Sequence, residues 1–238
     1  MKRVLVLRAR EDAERTALAL RAAGFEPVLS PALEIVPTHA ALPAGPFDAV
    51  LATSAKAAQN LPPLSGATLD VVGARTAEVA ARLGWRVDLV AADAAELARA
   101  LCARHAGVPA RFLYLAGHDR RAVLETALRE AGHEIEVAAL YEAVAATALA
   151  PMACDAIEKS KIFATAHFSR RSAEIFVRLV AREGLTRRLC EMRHLAISDD
   201  AATPIRAAGV AVAVAEAPNE KGVMAALAKI ARNAGAGA

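Results

Sequence analysis

The sequence predicts an α/β protein of two parallel-sheet domains with a cleft between them, and three observations predict it. The chain repeats itself. A strand–turn–helix grammar recurs through both copies of the repeat. Two extended stretches break that grammar at equivalent places.

The repeat is read from four matches in one order. Arg3–Asp12 (R-V-L-V-L-R-A-R-E-D) resembles Arg111–Arg120 (R-F-L-Y-L-A-G-H-D-R), and Ala19–Gly24 matches Ala127–Gly132, both at an offset of 108. Thr53–Ala58 resembles Phe168–Ala173 at an offset of 115, and Val71–Gly84 resembles Ala196–Gly209 at an offset of 125. This order indicates a duplication near residue 108 with two insertions in the second half.

The elements follow in turn. Short apolar runs, rich in β-branched residues, predict buried strands at Val4–Leu7, Ala49–Ala52, Leu69–Val72, Phe112–Leu115, Ile162–Phe168 and Leu195–Ile197. After each comes a polar or Gly/Ser turn and then an Ala/Leu helix. The helices end at Gly24, Gly84, Gly132, Gly184 or Gly209, where glycine accepts φ > 0 without penalty. Pro31–Pro37 and Glu136–Ala146 are extended, lead into no helix and predict connectors between domains. If the chain crosses at both, residues 37–143 form one domain and residues 1–36 plus 144–238 form the other.

Composition narrows the function classes. The 238 residues hold 29 Lys+Arg, 26 Asp+Glu and a net charge of +3, which points to one large or two small domains and carries no nucleic-acid signature. Hydrophobic residues make up 55%, inflated by 62 alanines, and exclude disorder. No apolar run approaches the roughly 20 residues of a membrane span, and Met1–Arg10 is not a signal peptide. Cys102, Cys154 and Cys190 lie far apart, which predicts reduced, buried thiols in a cytoplasmic protein and no zinc site. Of the cations, 23 are arginines, suited to bidentate carboxylate recognition. Monomer is the default expectation.

In an open α/β sheet, ligands bind beyond the carboxyl ends of the strands. Six turns occupy that edge: Arg8–Asp12, Thr53–Lys56, Gly73–Thr76, Gly117–Arg121, Ser169–Ser172 and Ser198–Ala201. Each offers backbone N–H groups at a helix start, where an anion is favoured. Ser54, Thr76, Ser169 and Ser172 also suit N-caps, each worth about 1 kcal/mol. Glu11, Asp12, Asp199 and Asp200 suit helix dipoles. Arg8, Lys56, Arg75, Arg120, Arg121, Arg170 and Arg171 all fall in these turns and would suit a ligand with many carboxylates or phosphates. The six histidines do not cluster and are expected mostly at the surface, with His118 the best candidate for a site. Tyr141, one of two tyrosines, lies on the second connector, where its phenol can donate a hydrogen bond without carrying charge. No dinucleotide, P-loop or nucleophile-elbow fingerprint is present.

These features together resemble the uroporphyrinogen-III synthase family. The likeness is carried by Val4–Arg8, Ser30–Pro37, Phe47–Ser54, Val71–Ala77, Leu115–Arg120 with Leu124, Ala139–Glu142 and Phe168–Phe176, in order along nearly the whole chain. The resemblance implies two flavodoxin-like parallel-sheet domains joined by a two-stranded β-ladder linker. It implies a cofactor-free, metal-free lyase that closes hydroxymethylbilane, a linear tetrapyrrole with eight carboxylates, into a ring with its last pyrrole inverted and water lost. It also leaves room for a transient contact with the preceding pathway enzyme. In the implied chemistry the terminal pyrrole expels hydroxyl to give an azafulvene, and attack at the last ring's substituted carbon gives a spiro intermediate that fragments and recloses. By position, Tyr141 matches the tyrosine that assists hydroxyl departure. Ser54, Gly73, Thr76, Gly117 and Ser169 match turns lining the cleft, and Arg8, Lys56, His118, Arg120 and Arg170 are the accompanying candidates for carboxylate binding.

The chain departs from the family pattern at Ser198, where glycine is usual, at Asp200 and Ala201, where threonines are common, and at Ala9, where proline is usual. Two carboxylates at Asp199 and Asp200 would repel an acidic substrate, so either this turn faces away from it or the lobe has drifted. Two other classes compete: a non-catalytic ligand-binding or sensor protein on the same fold, and a transferase on a flavodoxin-like scaffold.

Overall fold

The computed structural model describes residues 1–60, 64 and 66–234. The elements run β1 (Lys2–Val6), α1 (Arg10–Ala22), β2 (Phe25–Leu29), β3 (Leu33–Pro37), β4 (Ala49–Ala52), α2 (Ala55–Gln59), β5 (Thr68–Val72), α3 (Ala74–Arg82), β6 (Arg86–Ala91) and α4 (Ala94–Arg104). They continue as β7 (Arg111–Gly117), α5 (Val123–Glu130), β8 (Glu134–Ala145), α6 (Pro151–Glu158), β9 (Ile162–His167), α7 (Arg170–Arg182), α8 (Thr186–Leu189), β10 (Arg193–Ala196), α9 (Asp199–Ala207), β11 (Val212–Val214) and α10 (Glu220–Asn233). All six expected strands are present. β2, β6 and β11 are added to them. β2 carries Pro27, which cannot donate to a ladder, and stands at a sheet edge. β6 is another edge strand and alternates exposed and half-buried residues, so it lacks the apolar run of a central strand.

The chain divides into two compact units, Met1–Glu34 with Val144–Ala238, and Ile35–Ala143. The first holds a five-stranded sheet ordered β11-β10-β9-β1-β2, whose strands pair parallel. The second sheet is ordered β3-β8-β7-β4-β5-β6, and β8, β7, β4, β5 and β6 pair parallel. The first half of the second connector is thus a sheet strand as well: β8 lies in register with β7 from Arg111↔Glu134 onward. At β3, Thr38 N–H donates to the Leu140 carbonyl at 3.1 Å.

The two parallel arrays have one topology. β1 and β7 hold the same place, as do β9 and β4, and β10 and β5. The offsets of the repeat recur in the elements: α2 and α7 start 115 residues apart, and α3 and α9 are 125 apart at both ends. Gly24 and Gly132, which close α1 and α5, take φ of 81° and 85°, a region costly for any residue with a Cβ.

Both faces of each sheet are covered. Along β7, Phe112, Tyr114 and Ala116 pack with Leu97 and Leu101 of α4 and Leu124 and Leu128 of α5. Leu113 and Leu115 turn to the other face, with Ala57, Ala80 and Trp85. A strand buried on both faces reads as a continuous apolar run. Each fully buried Leu or Phe contributes about 1.5–3 kcal/mol. The turns at the carboxyl edge are thereby held by a rigid sheet.

Three histidines depart from the surface expectation: His133, His167 and His194 are buried. His167 and His194 stand at the same sheet face on β9 and β10, their rings stacked with centroids 5.2 Å apart. The cysteines are free, but none is fully buried: Cys102 and Cys154 are half-buried, and Cys190, after the short α8, is exposed.

Candidate active site

In the Ile35–Ala143 unit, a cavity of about 390 Å³ opens at the carboxyl edge of the sheet. It is lined by Thr53 after β4, Tyr114 and Gly117 of β7, Arg120 in the following turn, Tyr141 of β8 and Asp93 before α4. The structure thus brings together four residues singled out from the sequence, Gly117, Arg120, Arg121 and Tyr141.

Tyr141 is placed by backbone geometry. The β7–β8 ladder shifts register between Ala116 and Gly117, which sets Gly117 opposite Tyr141. The Tyr141 carbonyl accepts from the His118 N–H at 2.8 Å. A Cβ at Gly117 would fall 2.7 Å from the tyrosine ring, so the ring occupies the space that glycine leaves. The His118 side chain itself is 67% exposed, with its Nδ1 3.7 Å from Asp119.

Arg120 is clamped. Its Nε donates to Oε1 of Glu125 at 2.7 Å, and its Nη1 lies 3.5 Å and 3.4 Å from the Gly117 and His118 carbonyl oxygens. Glu125 is only 3% exposed, so the clamp is rooted in the core. Tyr114 and Thr53 hold their hydroxyls 2.6 Å apart. Burial pushes the Tyr114 phenol above its ordinary pKa, with the Glu125 carboxylate adding to this and the Thr53 hydrogen bond and Arg120 opposing it. Arg121, Asp93 and Asp119 also line the cavity, so its charge is mixed.

The neighbouring turns are helix starts. Ser54 caps α2 by accepting from the Lys56 N–H at 3.2 Å, and Lys56 is half-buried in its first turn. Gly73, with φ of 83°, is the cap residue of α3, and the buried Thr76 lies inside that helix, its N–H donating to the Gly73 carbonyl at 3.0 Å. Thr76 is therefore not the N-cap its residue type suggested.

In the other unit, the matching turns carry Arg8, Ser169 and Arg170. Arg8 donates to Thr16 at 3.1 Å, pairs with Glu220 at 3.4 Å and Asp12 at 3.7 Å, and stacks on Phe168 at 4.4 Å. Ser169 caps α7 by accepting from Ser172 N–H at 3.2 Å. Arg170 pairs with Glu174 at 2.9 Å and Asp200 at 3.7 Å. The two acids of the departing turn thus meet arginines, for Asp199 pairs with Arg206 at 2.9 Å. Ser198 takes glycine's place there and caps α9 through the Ala201 N–H at 3.3 Å.

Thr53, Tyr114 and Glu125 were not singled out from the sequence. Tyr114 sits in an apolar strand and reads as core. Glu125 sits in the first turn of a helix and reads as a dipole partner. Their one signal was proximity to the Thr53–Lys56 and Gly117–Arg121 turns.

The family model described as uroporphyrinogen-III synthase HemD matches residues 14–225. No curated protein matches the chain at a significant level. Among solved structures, the uroporphyrinogen-III synthetase of Helicobacter pylori aligns with a TM-score of 0.68 and 16% identity, over 97% of this chain and 100% of that one. A mutant uroporphyrinogen III synthase of Thermus thermophilus aligns with a TM-score of 0.52 and 17% identity, over 98% of this chain and 100% of that one. At such identities the structures speak for the fold. The family match spans most of the sequence, and on it this chain belongs to the uroporphyrinogen-III synthase family.

Proposed function

We infer that the chain carries out the reaction of its family, the closure of hydroxymethylbilane to uroporphyrinogen III with inversion of the terminal pyrrole and loss of water, a cyclising lyase step of haem biosynthesis. The observation that carries this reading is the placement of Tyr141 against Gly117 at a cavity edge, in a chain matched to the family over residues 14–225.

The substrate supplies its own electron push from the terminal pyrrole. The protein must hold carboxylates, bend the chain and assist departure of hydroxyl. In this reading the Tyr141 phenol donates to the leaving hydroxyl. Arg120 and the backbone N–H groups of the turns at Ser54, Gly73 and Ser169 hold carboxylates, with Lys56, Thr76 and His118 beside them. Arg8 and Arg170 serve the same end only to the extent that substrate draws them from Glu220, Glu174 and Asp200. β3 and β8 act as the two-stranded ladder linking residues 1–36 plus 144–238 to 37–143. Uncatalysed closure gives the uninverted isomer, so a transient contact with the enzyme that makes the substrate would protect it. A cytoplasmic setting agrees with three free cysteines.

Beating the uncatalysed closure a hundredfold takes about 2.7 kcal/mol of preferential barrier lowering, within reach of positioning and backbone donors. The test generates hydroxymethylbilane in situ, adds the protein, oxidises the products and separates type I from type III porphyrin. A dominant type III product is expected. A ratio equal to the protein-free control overturns the reading.

A further inference from the structure

The hydroxyls of Thr53 and Tyr114 hold two protons between them, and their mutual 2.6 Å bond uses one. Among the described residues no other hydrogen bond engages either oxygen, so the second O–H has the cavity as its outlet. Arg120 is in the same condition. Its Nε and Nη1 are held by Glu125 and by two backbone carbonyls, while its Nη2 meets no protein acceptor among the described residues. A phenol held above its ordinary pKa by burial remains a donor at neutral pH. Asp93, on the same cavity, accepts from the Glu96 N–H in capping α4.

The cavity lining therefore offers a guanidinium edge and a hydroxyl proton, both without protein acceptors among the described residues. A carboxylate answers them with two acceptor oxygens, and hydrogen bonds to a charged acceptor are the stronger kind. A pyrrole N–H, which only donates, can meet a hydroxyl oxygen but leaves the guanidinium edge unanswered.

We propose that the Thr53–Tyr114 hydroxyl pair and the Nη2 edge of Arg120 form one carboxylate subsite beside Tyr141, taking an acetate or propionate side chain of the tetrapyrrole, with Glu125 as the residue that positions Arg120. This rests on the functional reading above and adds residues that reading does not use.

The test uses the full chain and four variants, Tyr114→Phe, Thr53→Val, the double variant of these two and Thr53→Ser, each checked by its thermal melt. If the wild type makes type III product, Tyr114→Phe and Thr53→Val each raise KM about tenfold while kcat changes far less, the loss of one charge-assisted hydrogen bond. Their double variant is little worse than either, because the two hydroxyls act as one donor. Thr53→Ser, which keeps a hydroxyl, stays within about threefold of wild type. Unchanged KM in both Tyr114→Phe and Thr53→Val overturns the subsite and leaves the functional reading standing. If the wild type makes no type III excess, that reading fails, and the subsite is judged by fluorescence titration with uroporphyrin III as an octacarboxylate probe. Affinity weakened about tenfold in Tyr114→Phe supports it, and equal affinity of wild type and variant overturns it. A variant that fails to melt cooperatively is set aside in favour of the Thr53→Val and Thr53→Ser pair, whose equal KM also overturns the subsite.

Discussion

Gly117 and Tyr141 share one space: a Cβ on the glycine would lie 2.7 Å from Cε2 and Cζ of the tyrosine ring and 2.9 Å from its hydroxyl oxygen. The ring sits where it does because residue 117 has no side chain. Gly117→Ala is therefore expected to push the phenol out of position without straining the backbone at 117. Misplacement of a reacting group by about 1 Å can cost 100-fold in rate, and a loss in kcat of about 10- to 100-fold is expected. Steady-state kinetics with a thermal melt as control checks it; wild-type kcat would refute the dependence.

Tyr141→Phe keeps the ring and removes the donor. If the phenol assists departure of hydroxyl, kcat falls by about 100-fold or more, the range of general acid catalysis, with KM little changed. The product ratio moves toward type I, since the uncatalysed closure then competes. A variant with unchanged turnover removes Tyr141 from the acid role.

Arg8 is expected to matter first for stability. It is bonded to Thr16, paired with Asp12 and Glu220, and stacked on Phe168. Arg8→Ala loses the packing and leaves Glu220 one partner short, at a cost of about 1–3 kcal/mol. Urea denaturation measures this directly. Stability equal to wild type, with KM raised, would place Arg8 among the substrate-binding residues instead.

The buried histidines make stability depend on pH. His194 Nε2 lies 2.9 Å from the Leu189 carbonyl oxygen, which can only accept, so Nε2 carries the proton. His194 Nδ1 then accepts from His167 Nε2–H at 2.9 Å, and His167 Nδ1 is a buried lone pair without a partner among the described residues. Burial holds the His167 pKa well below its ordinary value, with the neighbouring His194 adding to this. Burial also lowers that of His194, against the opposing effect of the Leu189 hydrogen bond. Because the folded-state pKa values are depressed, the unfolded chain binds more protons in acid. Stability is full above the unfolded value of about 6.5 and is lost as pH falls below it, at up to about 1.4 kcal/mol per pH unit for each histidine that stays neutral. Urea midpoints at pH 7.5 and 5.5 should differ accordingly, and His167→Gln should flatten the dependence. Equal midpoints in the wild type would contradict this account.

What the sequence determined by itself was whatever rests on local chemistry or on repetition. The apolar runs of β1, β4 and β7 marked the central strands. Gly24 and Gly132 marked helix ends, because only a residue without Cβ takes φ above 80° there at little cost. Ser54 and Ser169, 115 residues apart, both proved to be caps, since a cap needs only its own next turn. The offsets of the repeat placed α3 and α9 in matching positions before any pairing was known. The tertiary structure alone decided which charges meet. Arg8 is bonded to Glu220, 212 residues away, and Thr53 to Tyr114, 61 residues away. Such partners are chosen by strand order and crossover, which no local pattern encodes. It also decided that Tyr114 carries its hydroxyl to the cavity and that His167 and His194 face each other in the core. In a parallel strand buried on both sides, polar and apolar faces do not alternate, so the periodicity that reveals a half-exposed strand is silent about which side chains converge.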